Sequence, residues 1–191
     1  MELLLLAIAA IFVNNILLAQ YLGNCPFCGV SKKLGTSIGM GAAVVFVVTL
    51  ASIFTWSAYH FILKPYDLEF ISTLVFILII AALVQFVEIF LKKQSPALYN
   101  ALGIYLPLIT TNCAVMGVAL LNIKNDFGFV DMVVYSFSAA FGFGLAIVLF
   151  AGLRERLLVS PVPRAMQGTA IALVTAGIMS LAFLGFSGMV N

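Results

Sequence analysis

The sequence predicts an all-α membrane protein with six transmembrane helices, arranged as two inverted three-helix repeats in which the first and fourth helices are broken. Three observations lead to this fold. Of 191 residues, 64% are hydrophobic and 8% charged, far less polar surface than a soluble globule of this length requires. Long apolar stretches alternate with short charged connectors. One Asn-Cys motif occurs twice, once in each half of the chain.

A bilayer core needs about 20 mostly apolar residues per helix. Six stretches meet that length: Leu3 to Leu22, Ser37 to Leu63, Phe70 to Leu91, Tyr99 to Leu121, Val130 to Leu153 and Gly168 to Met189. The N-terminus carries Glu2 and no Lys or Arg ahead of its apolar run, which argues against a cleaved signal peptide and for a retained first span. No connector is long enough for a soluble domain, so residues 1–191 are expected to form a single membrane domain.

Basic residues dominate the first connector (Lys32, Lys33), the third (Lys92, Lys93) and the fifth (Arg154, Arg156, Arg164, with Glu155). The second (Lys64, Asp67, Glu69) and the fourth (Lys124, Asp126, Asp131) are mixed. Cytoplasmic loops carry the excess of Lys and Arg, so the odd connectors are expected to face the cytoplasm and both chain ends the extracytoplasmic side. The net charge of +2 is small and scattered, which points away from nucleic acid.

Asn24-Cys25-Pro26-Phe27-Cys28-Gly29-Val30 recurs as Asn112-Cys113-Ala114-Val115-Met116-Gly117-Val118, with Asn, Cys, Gly and Val in register. Gly39-Met40-Gly41 is echoed by Gly142-Phe143-Gly144. The repeats run from about 1 to 93 and from about 94 to 191. Three spans per half is an odd number, so the second half enters the membrane from the opposite face. Gly23, Asn24 and Pro26 are expected to break the first span near Cys25. Pro107 and Thr110-Thr111-Asn112 are expected to break the fourth near Cys113. Broken backbone at membrane depth requires burial in protein, which places both cysteines inside the molecule near the midplane.

The three cysteines, Cys25, Cys28 and Cys113, are too few for a disulfide framework. Cys25 and Cys113 read either as small apolar fillers or as two ligands of a four-thiolate iron-sulfur site completed by a partner chain. A disulfide between them is a third option. Cys25 and Cys28 form a C-x-x-C, but the repeat partner of Cys28 is Met116, which makes Cys28 a bystander. Glu88, one turn before Lys92, reads as a helix-end carboxylate or as a group in an ion path. Asn14, Asn15 and Gln85 read as interhelical glue, and His60 with Trp56 and Tyr59 as an interfacial belt. No phosphate-binding glycine loop, nucleophile elbow or dinucleotide fingerprint is present, so the chain holds no complete active site.

Leu22-Gly23-Asn24-Cys25-Pro26-Phe27, Val30-Ser31-Lys32-Lys33, the run from Leu102 to Val115 and Arg154-Glu155-Arg156 resemble the family of Rnf complex A subunits, and the likeness runs nearly end to end. That resemblance implies a prokaryotic plasma-membrane component of an ion-translocating oxidoreductase, one that couples electron transfer between ferredoxin and NAD to movement of Na+ or H+. It implies that Cys25 and Cys113 hold a [2Fe-2S] cluster shared with the homologous E subunit, which lies in opposite orientation, alongside the B, C, D and G subunits. Cys28 stands where the family carries Met. The alternatives are the E subunit of a Na+-translocating NADH:quinone reductase and a redox-silent inverted-repeat transporter.

Overall fold

The computed structural model describes residues 2–31, 34–66, 69–94, 106–161, 163 and 166–185. Lys32, Lys33, Asp67, Arg164, the stretch from Tyr99 through the Leu102–Tyr105 motif, and the end of the last expected span at Met189 lie outside them. All regular structure among the described residues is helical. The helices are α1 (Glu2–Ile8), α2 (Asn24–Val30), α3 (Leu34–Ala58), α4 (Ser72–Gln94), α5 (Leu106–Thr110), α6 (Cys113–Lys124), α7 (Phe129–Val159) and α8 (Thr169–Leu184). A π turn, Ala9–Val13, extends α1, and another, Tyr59–Leu63, extends α3.

Among the described residues, four stretches are long and apolar enough to cross a membrane: Leu34–Tyr66, Ser72–Phe90, Pro107–Lys124 and Phe129–Val159. Leu3–Val13 and Thr169–Leu184 are shorter apolar helices. Large side chains such as Phe46, Phe54, Phe61, Leu78, Phe86 and Phe90 are exposed on the outside of the helices. In a bilayer, a shell of this kind faces lipid or other membrane protein rather than water.

The chain is broken in both expected regions, but the first break begins about ten residues earlier than its glycine and proline indicate. Helix ends after Val13, and no regular helix resumes until Asn24. Asn15 is the physical reason. Its Nδ2 donates to the carbonyls of Ile11 (3.0 Å) and Gly142 (2.9 Å), and its Oδ1 accepts from the N–H groups of Leu17 (3.0 Å) and Leu18 (3.4 Å). One fully buried amide therefore replaces the backbone ladder and ties the break to α7. Ser180 of α8 donates to the carbonyl of Leu18 at 2.7 Å, covering another freed group. The second break is short, with α5 ending at Thr110 and α6 starting at Cys113.

The core lies where α3 packs along α7, the largest interhelical contact of the fold. At their crossing a methyl group on Gly41 would lie 3.2 Å from Gly144 Cα, and one on Gly144 would lie 3.5 Å from Gly41 Cα. Only glycine lets the two backbones approach this closely. The helices run antiparallel. Glu155 Oε1 accepts from Leu34 N–H at 3.1 Å at one end, and Trp56 Nε1–H donates to the Phe127 carbonyl at 3.1 Å at the other. The first and fifth connectors thus share one end of the bundle, and the second and fourth share the opposite end.

Trp56 also stacks on His60 at 4.7 Å, so the lone histidine sits in an aromatic cluster, with an exposed imidazole. Gln85 is exposed on α4 and Asn14 is exposed at the end of the π turn. Of the three amides read as interhelical glue, Asn15 is the one seen to bridge helices within this chain.

Replacing Gly41 with Val should lower the stability of the protein by about 1–3 kcal/mol, because the backbone of α7 leaves no room for the added carbons. Replacing Gly152 with Ala, where nothing lies within 4 Å, should be neutral or raise stability by up to about 1 kcal/mol. Thermal unfolding of the two purified variants in detergent checks the contrast.

Candidate functional site

The two Asn-Cys motifs come together. Gly23 N–H donates to Cys113 Sγ at 2.8 Å, which places the thiol of the second motif two residues from Cys25. Each cysteine lies in the first turn of a restarted helix: Cys25 in α2 and Cys113 at the head of α6.

Local sequence builds this junction. Asn112 caps α6, its Oδ1 accepting from Ala114 N–H at 3.0 Å, as a short amide side chain does well at this position. Gly23 takes φ +88°, in the left-handed region that glycine enters without steric cost. A methyl group there would lie 2.6 Å from Phe143 Cε2, 3.1 Å from Asn112 Oδ1 and 3.2 Å from Ala114 Cβ. The glycine thus serves both the turn and the contact between the two breaks.

Both thiols open outward, which corrects the expectation that Cys25 and Cys113 lie inside the protein. Each is exposed in the single chain, whereas Cys28 is half-buried against the core. Helical period is the reason. In α2 the inward face is Pro26, Phe27 and Val30, and in α6 it is Ala114, Val115, Val118, Ala119 and Asn122. Those positions leave the leading cysteine of each helix on the opposite side. The burial demanded of broken backbone is met instead by Ile16, Leu17, Leu18 and Asn112.

All three cysteines are free thiols. Among the described residues, no group of three or more His, Cys, Asp or Glu side chains stands close enough to hold a metal ion. The chain therefore offers two free thiols at its surface, Cys25 and Cys113. Gly23 N–H is directed at Cys113 Sγ, and Cys113 stands at the N-terminal end of the 12-residue α6. The buried Asn112 Nδ2 has no hydrogen-bond partner among the described residues.

Other sequence candidates lie elsewhere. Glu88 is half-buried on α4. A cavity of about 960 Å³ between α3 and α4 is lined by residues such as Phe46, Leu50, Phe54, Leu83, Phe86 and Phe90, and among the described residues its lining carries no titratable or nucleophilic group. Sequence reasoning missed the contribution of Gly23 and Phe143 to the junction. The glycine stands beside the repeated motif, but its partner at 143 is 120 positions away and leaves no local signal.

Gly23→Ala should destabilise the junction by more than about 1–2 kcal/mol, since a left-handed φ and a blocked Cβ position act together. Asn112→Ala should cost about 1 kcal/mol by removing the cap, and Asn112→Asp, which keeps the acceptor, should cost less. Thermal unfolding in detergent ranks the three.

The sequence matches the family described as "Rnf-Nqr subunit, membrane protein" over residues 3–190. It is 59% identical over 189 residues to the A subunit of the Na(+)-translocating ferredoxin:NAD(+) oxidoreductase complex of Acetobacterium woodii, covering 99% of this chain and 98% of that protein. It is 56% identical over 189 residues to the A subunit of the ion-translocating oxidoreductase complex of Syntrophotalea carbinolica, with 99% and 98% covered. Its identity to the protein of the same description from Yersinia enterocolitica is 59% over 190 residues, with 100% and 98% covered. With a family match spanning nearly every residue and relatives this similar along their whole length, the chain belongs to the Rnf-Nqr family of membrane subunits.

Proposed function

We propose that this chain is a membrane component of an Rnf-type ion-translocating ferredoxin:NAD oxidoreductase complex, and that Cys25 and Cys113 provide two of the four thiolates of a [2Fe-2S] cluster shared with the homologous E subunit. The observation that carries the reading is the 2.8 Å contact from Gly23 N–H to Cys113 Sγ, which sets the thiol of the second motif against the residue two positions before Cys25, with both cysteines exposed. A buried pair would suit packing or a disulfide. A pair open at the surface of an apolar chain suits ligands completed by a second protein.

The chain's own residues bind and shape. Cys25 and Cys113 supply the sulfurs, Gly23 N–H and the N-terminal end of α6 offset the charge on Cys113, and Asn112 holds the start of α6. When bound, a cluster of this kind supplies one-electron transfer at a potential set by such hydrogen bonds and by its exposure. Cys28 stays out of the ligand set, half-buried, with its carbonyl engaged by Arg154.

Six spans form one membrane domain of two inverted repeats in the architecture that goes with this function. Supporting it, the repeat-equivalent Gly41 and Gly144 pack on each other, and equivalent Gly29 and Gly117 each face a leucine a few residues before the other half's Asn-Cys motif, Leu108 and Leu22. A two-fold axis between the halves produces such reciprocal contacts. The bundle end bearing Lys92, Lys93 and Arg154 faces the cytoplasm of a prokaryotic cell and both termini face outward. The B, C, D and G subunits complete the assembly, and Na+ or H+ is the coupling ion.

The test is low-temperature EPR of the dithionite-reduced complex purified with its neighbouring subunits. Cys25→Ser and Cys113→Ser should each abolish the cluster signal and lower the iron content, while Cys28→Ser should keep both. An intact wild-type complex without iron or signal would sink this reading and leave a redox-silent transporter.

A further inference from the structure

With seven residues, α2 is too short to hold its own position, since isolated helices below about 12–15 residues are marginal. One face of α7 supplies its anchors. Phe143 packs where Gly23 turns into α2, 2.6 Å from the Cβ position of that glycine. Phe150 stacks on Phe27, with centroids 3.9 Å apart and planes at 20°. Arg154 Nη1 donates to the Cys28 carbonyl at 3.0 Å and to Ser31 Oγ at 2.9 Å, and its guanidinium lies 5.9 Å from the Phe150 centroid.

The chemistry suits the place. The last carbonyls of a helix lack intrahelical partners, and a cation there also meets the negative end of the helix. Guanidinium serves two acceptors from one planar group while lying over an aromatic ring, which an ammonium does not reproduce. The next residue, Glu155, takes the complementary role by accepting from Leu34 N–H at the amide end of α3. Two consecutive side chains of α7 thereby hold the end of α2 and the start of α3.

We infer that Arg154 is a positioning residue that latches the Cys25-bearing half-helix to α7 and so sets where the Cys25 sulfur stands. This rests on the reading of Cys25 as a cluster ligand. Cys25 lies three residues, less than one turn, before the carbonyl that Arg154 holds, so releasing that carbonyl loosens the turn that carries the thiol.

The experiment compares wild type, Arg154→Met and Arg154→Lys in the assembled complex by two readouts. These are amide hydrogen exchange of the segment spanning α2, and the EPR line shape and midpoint potential of the reduced cluster. Arg154→Met should speed exchange across Asn24–Val30 by about tenfold, as expected for loss of a charge-assisted hydrogen bond, and should alter both line shape and potential. Arg154→Lys should fall between. If the Met variant does not assemble, the Lys variant carries the same two expectations at smaller size. Unchanged exchange overturns the latch. Faster exchange with an unchanged spectrum and potential overturns its role in placing Cys25. A wild-type complex without a cluster signal sinks the cluster reading instead, while the exchange rates still decide whether Arg154 holds α2.

Discussion

A peptide group that loses its partner inside a bilayer has no water to turn to, and that constraint governs how this chain interrupts its helices. An unpaired amide in hydrocarbon costs several kcal/mol, so a break persists only where other groups take up the freed donors and acceptors. Asn15 meets that need with four hydrogen bonds from one buried side chain, and Ser180 covers the Leu18 carbonyl from α8. The bond from Asn15 to the Gly142 carbonyl also fixes the broken stretch of chain against α7. Much of the remaining architecture follows from this anchoring, because α7 then meets α3 at Gly41 and Gly144 and carries the side chains that hold α2.

Breaking helices has a functional return. A continuous helix presents side chains from its middle, where backbone donors are already engaged. A restarted helix presents its first residues beside free N–H groups, and Cys113 stands in such a place. The two breaks meet through Gly23, so the donors of one half serve the sulfur of the other. Among the described residues, no group of three or more metal-binding side chains is assembled within one chain. That agrees with membership of a family whose members work as parts of larger complexes.

Much of this is legible in the sequence, for physical reasons tied to particular residues. Apolar run lengths mark spans because bilayer thickness is constant. The Thr-Thr-Asn run marks the second break because a capping amide favours the start of a new helix, while Pro107 sits in the first turn of α5, where a proline is tolerated. The first break begins well before the Gly23 and Pro26 that mark it, because the interruption at Asn15 depends on a carbonyl of Gly142 more than a hundred residues away. The outward direction of the cysteines is equally hidden. Burial is needed somewhere in each motif, but Phe27, Val30, Ala114 and Val115 take it up and leave the thiols outside.

By itself the sequence determined that this is a helical membrane chain with an Asn-Cys element repeated at two interruptions, since composition, run length and motif identity are local properties. Tertiary structure alone decided that the interruptions touch, that Cys25 and Cys113 are exposed, and that Arg154 holds the end of α2. These are contacts between residues some 90 to 126 positions apart, and their geometry is set by how α2, α6 and α7 pack rather than by any pattern along the chain.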